Sequence, residues 1–296
     1  MYHLKKNPVF TRTASLPGVQ EVVNDANRRL ADSSAGLSFE AAEHRYFLAG
    51  KEMRSVSSIV EHFAPFDSLA VATGCSLNPR HEHFGKDPEE IVAIWKESGR
   101  EAADAGTRVH AFAEACCLYL QGREDEIDEA FRDRVTAEGL AATDAKEEAA
   151  ARWWAELDWT RYAVVAKETR VVNPLLGYAG TFDLLLYDLL SCAFAQRDYK
   201  TNKDLERSFG KMLPPLSMLR DSDICKYTVQ QTAYTIQLRN IGLPINSNQL
   251  IWLREDGYRE VELDLRYDRV VAWAIEQLLR LDREGAEKTT QQNPNK

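Results

Sequence analysis

The chain has 296 residues, with 37 Lys and Arg against 46 Asp and Glu, a formal net charge of −9. A hydrophobic fraction of 44% with 28% charged residues is ordinary for a globular protein and excludes a mostly disordered or collagen-like chain. The acidic balance argues against wholesale electrostatic binding to DNA or an anionic membrane and leaves room for a local basic groove. No stretch approaches the roughly 20 apolar residues that span a bilayer, and the N-terminus has no apolar leader core. A cytoplasmic protein without membrane attachment is expected. Five Cys, none in a CxxC pair, predict neither a disulfide framework nor a zinc ribbon; Cys116 and Cys117 read as buried groups in an apolar helical run.

Residues 1–36 mix polar residues, Pro and Gly without a clear period and are expected to form a flexible arm. From Leu37, the runs LSFEA, HRYFL and KEMRSV read as short strands joined by tight turns. Ser57 is placed to cap a short helix over SIVEHFAPF, limited by Pro65, and residues 71–88 read as a loop rich in Gly, Pro and His. Asp87-Pro88-Glu89-Glu90 has the cap, first-turn proline and acidic first turn of a helix start. Residues 87–159 then read as a helical accessory region. Val109, Phe112, Ala113, Cys116 and Leu120 share one face, and the charged, Ala-rich run from 124 through KEEAAARWWAEL fits solvated helix.

After Asp158 the texture becomes β. WTRYAVVAKETRVV, GYAGTFDLLLYDLL and CAFAQRDYKT predict three strands, and connections this short predict an antiparallel meander. A Pro-bearing excursion precedes the helix ICKYTVQQTAYTIQLRNIG; two strands (NSNQLIWLR and YREVELD), a last helix and a frayed tail over 285–296 follow. The order is α+β or mixed α/β, with one domain expected over 37–284.

Three strand positions carry chemistry. Asp183 sits among leucines; period-two geometry puts Asp183, Leu185 and Tyr187 on one face and Phe182, Leu184 and Leu186 on the other. A carboxylate in that company is costly to bury unless it is paired, hydrogen-bonded or bound to metal. Asp198 and Lys200, two apart, share a face near a strand end, which suits either a hydrolytic metal site or an ordinary surface ion pair. Glu168, Asp183 and Asp198 lie 15 residues apart in turn, one acid on each of three consecutive strands. On the preceding helix, His110 and Glu114 are i,i+4; an imidazole among carboxylates suits Mg²⁺ or Mn²⁺, and the plain alternative is a histidine hydrogen-bonded near a helix core face. Tyr227, Gln230 and Tyr234 share a face of the later helix, either as a polar face packed on the sheet or as support for metal ligands and phosphate.

Taken in order, GTRVH (106–110), Glu168 of KETRV, GTFD (180–183), DYKT (198–201) and YTVQQTAY (227–234) resemble the PD-(D/E)XK nuclease superfamily. The likeness is to its RecB-like branch of phage and bacterial exonucleases and covers roughly residues 100–255. It implies a restriction-endonuclease-like αβββαβ core and metal-dependent DNA cleavage, with exonuclease action in processing, recombination or repair. By resemblance, His110, Asp183, Asp198 and the Tyr199 carbonyl hold Mg²⁺ or Mn²⁺, Lys200 positions the attacking water, and Glu168 assists. Gln230 and Tyr234 complete the site, with Tyr227, Glu114 and Thr201 in support. DNA is the implied partner, with a helicase or recombination protein as a further one. Members that carry an iron–sulfur cluster have several Cys after the core; this chain has none beyond Cys225, so no cluster is expected. No GxxxxGK[ST] pattern occurs, so no nucleotide is expected. A non-catalytic module binding DNA or protein is the rival reading, and a hydrolase of another phosphate or carbonyl substrate a third. Lys203, Arg207, Lys211 and Arg220, with Phe209, form either a basic, partly aromatic strand contact or a solvated loop.

Overall fold

The computed structural model describes the backbone of residues 1–292 and the side chains of residues 1–282. The chain enters through β1 (His3–Leu4) into helix α1 (Pro8–Ala14), where the Asn7 side-chain oxygen accepts from Val9 N–H at 2.9 Å. Pro17 starts α2 (Pro17–Ser33), which buries Val19, Ala26 and Leu30 and is tied to the sheet by Asn27 Nδ2 donating to the Val165 carbonyl at 3.0 Å. The first 36 residues are therefore not a flexible arm. Their three buried positions stand seven and four residues apart among Asn, Asp and Arg, which conceals the helical period.

Strands β2 (Leu37–Glu40), β3 (Arg45–Leu48) and β4 (Lys51–Ser55) pair antiparallel. Ser55, not Ser57, caps α3 (Val56–Phe63), accepting from Ser58 N–H at 3.1 Å. The expected loop begins as helix α4 (Ser68–Leu77), capped by Asp67. Helix α5 (Pro88–Gln121) starts at Asp87, as its sequence predicts, and stops at Gly122, which takes a left-handed φ of 74°. At 1.5 Å per residue its 34 residues span about 51 Å. Only the C-terminal part, from Val109 onward, is continuously embedded; much of the N-terminal part is exposed and packs against α4.

The accessory region is not helical throughout, because α6 (Glu129–Arg132) is followed by β5 (Val135–Thr136) and β6 (Gly139–Ala141), the latter pairing with β1. Nor is α7 (Ala145–Glu156) solvated. It buries Ala149, Ala150, Ala151, Trp153 and Trp154. Glu147 is wholly buried, 2.9 Å from Arg134 Nη1, and accepts from the Thr143 N–H and hydroxyl at 2.8 Å each. An internal ion pair lets a charged residue sit where composition alone predicts solvent.

The meander follows as expected: β7 (Tyr162–Asn173), β8 (Tyr178–Asp188) and β9 (Ala193–Lys200), each antiparallel to the next. A two-stranded ribbon, β10 (Ser208–Lys211) with β11 (Arg220–Ser222), leads into α8 (Asp223–Asn240). Strand β12 (Ile245–Arg254) lies parallel to β9 and β13 (Gly257–Glu262) antiparallel at the edge. Helix α9 (Asp268–Gln292) runs through residues 285–292, the start of the expected tail; residues 293–296 lie outside the described residues. Among the described residues, no helix is long and apolar enough to cross a membrane.

The large sheet has the order β13-β12-β9-β8-β4-β3-β2, with β7 also on β8. One face carries α1, α5 and α7 over Leu184 and Leu186, and the other α2, α3, α8 and α9 over Phe182 and Leu185. The fold is thus mixed α+β, helices covering a mixed sheet on both faces. The predicted alternation holds for residues 184–186 but fails at Phe182, which joins the side of Leu185. The cause is a change of neighbour. Along one edge, β8 pairs with β9 over 184–188 and with β4 at 178–179, so Gly180-Thr181-Phe182-Asp183 has no strand beside it there.

Candidate metal centre

That unpaired stretch of β8 is where the acids converge. Asp183 is largely buried, and its Oδ2 accepts the Tyr199 backbone N–H at 2.8 Å, taking the place of a ladder bond just past the last β8–β9 pair, Leu184 with Arg197. His110 Nδ1 lies 3.3 Å from the same oxygen. The imidazole is fixed because Val109, Phe112 and Ala113 anchor α5 in the core beside it.

Glu168 arrives by an unusual backbone. Its φ is +42°, a left-handed conformation that a non-glycine residue rarely adopts inside a strand. The β7–β8 register accordingly resumes on either side of it, at Lys167 with Leu184 and Thr169 with Phe182. Strain of this kind collects at functional sites. Its result here is that His110, Glu168 and Asp183 each present one ligand atom within 4.8 Å of the others.

Asp198 and Lys200 lie next to this group. Asp198 is buried, and its Oδ2 is 2.5 Å from Lys200 Nζ. The ammonium stands 4.2 Å from the centre of the Tyr227 ring, whose hydroxyl donates to Asn202 Oδ1 at 2.9 Å. Asn202 is held in turn by Trp252 Nε1 on its carbonyl at 2.7 Å, and it donates to Asp223 at 2.6 Å. Asn202 and Trp252 escape sequence reasoning; the one hint is that Asn202 directly follows the DYKT run.

Electrostatics record the crowding. Burial, reinforced by Asp183, pushes Asp198 up to about 6, with Lys200 pulling the other way. Burial works against the Lys200 charge, but Asp198 and Asp183 outweigh it and leave the ammonium above its ordinary range. Glu168 is driven up to about 8 by the protein packed around it and then by the charges of Asp183, Glu114 and Asp198, although its side chain still reaches solvent. Mutual repulsion among acids is what a divalent cation relieves, and a set of one imidazole and two carboxylates fits Mg²⁺ or, with its tolerance of nitrogen, Mn²⁺.

The remaining predicted residues take outer places. Glu114 pairs with Lys167 and stands outside the close triad. Thr201 accepts from Lys146 Nζ at 3.0 Å through its carbonyl, and its Oγ1 sits 3.2 Å from where a Cβ on Gly106 would be, so the close approach of β9 to α5 explains the glycine of GTRVH. Tyr199 contributes its N–H to Asp183, while its ring lies edge-on to His110 and Trp153. Tyr234 is buried against Gly180 and interacts with Gln230 one turn earlier, whose Oε1 is buried without a hydrogen-bond partner. One difference from the expected ligand set stands out. Glu168, expected only to assist, belongs to the close triad, whereas Asp198 is drawn to Lys200, its nearest counter-charge. No protein-family model matches the chain, and no curated protein matches it.

Proposed function

We propose that this protein is a divalent-metal-dependent DNA nuclease, with Mg²⁺ or Mn²⁺ as its cofactor. The observation that carries the reading is the juxtaposition of the buried Asp198–Lys200 pair with the His110–Glu168–Asp183 triad. The order α5, β7–β9, α8, β12 supports a PD-(D/E)XK core of restriction-endonuclease-like type, in which His110, Glu168 and Asp183, with Asp198 beside them, hold the cation. The bound ion supplies Lewis acidity, lowering the pKa of water and offsetting charge on the phosphoryl oxygens. Lys200 keeps its proton and directs positive charge at the attacking water and the scissile phosphate. Tyr227 and Asn202 hold that ammonium in place, and Asp183 fixes the backbone between Asp198 and Lys200 through the Tyr199 N–H.

Burying an ion pair beside further acids costs stability. A non-catalytic binding module has no reason to retain that cost, which favours an enzyme. The finer reading is an exonuclease acting on DNA ends in recombination or repair, alongside a helicase or recombination protein. The test is cleavage of end-labelled linear and of circular single- and double-stranded DNA with Mg²⁺ or Mn²⁺, comparing the wild type with Asp198→Asn and Lys200→Met. Linear substrates are degraded by the wild type, and each variant loses at least about a hundredfold in rate while keeping its circular dichroism. Cutting of closed circles overturns the exonuclease reading; absence of cleavage on every substrate with both metals overturns the nuclease itself.

A further inference from the structure

The β10–β11 ribbon leaves the sheet directly beyond the site and returns directly before it. Its first foot follows Lys200 and Thr201, and its second is the start of α8, one turn ahead of Tyr227. It is not a loose solvated loop. Leu205 is buried with Leu250 and Leu263, and its carbonyl accepts Ile224 N–H at 2.9 Å. Met212 N–H donates to Leu219 at 3.1 Å, and Leu213 N–H donates to the Phe63 carbonyl at 2.7 Å, which pins the ribbon to the end of α3.

This anchored ribbon shows solvent an exposed aromatic together with cations. Phe209 is 61% exposed, with the Arg207 guanidinium 5.1 Å from its ring centre, and Met218 is 55% exposed. Among the described residues, Lys203, Arg207, Lys211 and Arg220 have no carboxylate within ion-pair distance, unlike Arg45, Arg100 and Arg161, and they stand together on one projection. Of the nearby acids, Asp221 holds Lys226 at 3.0 Å and Asp204 accepts the N–H groups of Glu206 and Arg207 at 2.8 and 3.1 Å, while Glu206 is exposed, so the ribbon's four cations outnumber its exposed acids. The N-terminal part of α5, before Val109, has the opposite character, with Glu89, Glu90, Glu97, Glu101 and Asp104 against Lys96, Arg100 and Arg108. Phosphate is repelled there and attracted at the ribbon.

We propose that the β10–β11 ribbon is a platform for a single-stranded segment of the nucleic acid, with Phe209 stacking on an unpaired base and Lys203, Arg207, Lys211 and Arg220 following the backbone phosphates. The proposal rests on the nuclease reading and adds to it a preference for single strand beside the scissile bond. The aromatic decides between strand types. In a duplex every base is already stacked and paired, so an exposed Phe gains nothing from it, whereas a free base stacks on any π-face.

The test is fluorescence anisotropy with a labelled oligothymidylate of about 16 nucleotides and a blunt duplex of equal length, in Ca²⁺, for the wild type, Phe209→Ala, Phe209→Trp and Arg207→Gln/Lys211→Gln. Phe209→Ala weakens single-strand binding roughly tenfold and duplex binding less than about twofold, and Phe209→Trp retains the single-strand affinity. The double variant flattens the dependence of log affinity on log salt by about 0.7 for each phosphate it no longer neutralises. Unchanged thermal unfolding shows that these exposed positions leave the fold alone. Equal losses on both probes, or no loss, overturn the platform. DNA cleavage by the wild type under those outcomes leaves the nuclease reading standing; a wild type that neither binds nor cleaves DNA overturns both.

Discussion

Tyr234 occupies the space beside Gly180 that any other residue would need: a Cβ built on Gly180 would lie 2.7 Å from Tyr234 Cε1 and 3.0 Å from its hydroxyl oxygen. The bare backbone of β8 in the gap between β4 and β9 is thus filled from α8, three residues before Asp183. Gly180→Ala forces that ring aside at a cost of about 1–3 kcal/mol, read as a Tm lower by about 2–10 °C, with loss of the proposed DNA cleavage. Combining it with Tyr234→Leu recovers part of the Tm. A single variant with unchanged Tm would show that the two residues do not constrain each other.

If the proposed cation binds, Glu168 sets stability against metal affinity. Glycine adopts its left-handed φ without steric penalty and removes one carboxyl group from a crowded acid cluster. Glu168→Gly is therefore expected to raise stability by about 1 kcal/mol while weakening Mn²⁺ binding at least tenfold. Calorimetric unfolding and a Mn²⁺ titration of the same sample check both halves, and a lower Tm would count against strain at this residue.

On the proposed reading, protons and a divalent cation compete for the same oxygens. Asp198 rises from 3.8 to about 6 on folding and Glu168 from 4.5 to about 8, so the folded chain holds these protons more tightly than the unfolded one. The stabilisation they provide is fully present below about pH 4 and declines as pH rises through about 6 for Asp198 and about 8 for Glu168. Metal binding requires the deprotonated forms and runs the other way. Added Mn²⁺ should accordingly raise Tm more at pH 8 than at pH 6, with affinity rising up to tenfold per pH unit for each proton displaced. A pH-independent metal shift would remove Glu168 from the ligand set.

Glu147 provides a contrast remote in role from cleavage. Glu147→Ala leaves Arg134 without its buried partner and Thr143 without its acceptor, at a cost of about 3–5 kcal/mol. Below its lowered Tm the variant should bind Mn²⁺ as the wild type does. Metal affinity that falls in step with stability would tie α7 to the centre more closely than its contacts indicate.

The meander was legible in the sequence because short turns, β-branched runs and one acid per strand all point the same way. The Asp198–Lys200 pair was legible because two residues on one strand face need no knowledge of anything distant. What could not be read depends on partners far along the chain or on backbone angles that composition does not encode. The Lys200–Tyr227 contact joins residues 27 positions apart. Glu147 looks solvent-facing until Arg134 is found beside it, and α2 looks irregular until Val19, Ala26 and Leu30 are seen against the sheet. Glu168 reaches the triad only through its left-handed φ, which no strand propensity predicts.

The division of labour between meander and α8 also fixes an order of events during synthesis. His110, Glu168, Asp183 and Asp198 have all been made by residue 198, and their neutralising lysine follows two residues later, within the same strand. Tyr227 and Tyr234, which cover Lys200 and fill the gap at Gly180, are translated only afterwards. The four residues that could hold a cation thus leave the ribosome before the helix whose tyrosines pack against Lys200 and Gly180, so α8 is the last of these parts to be added.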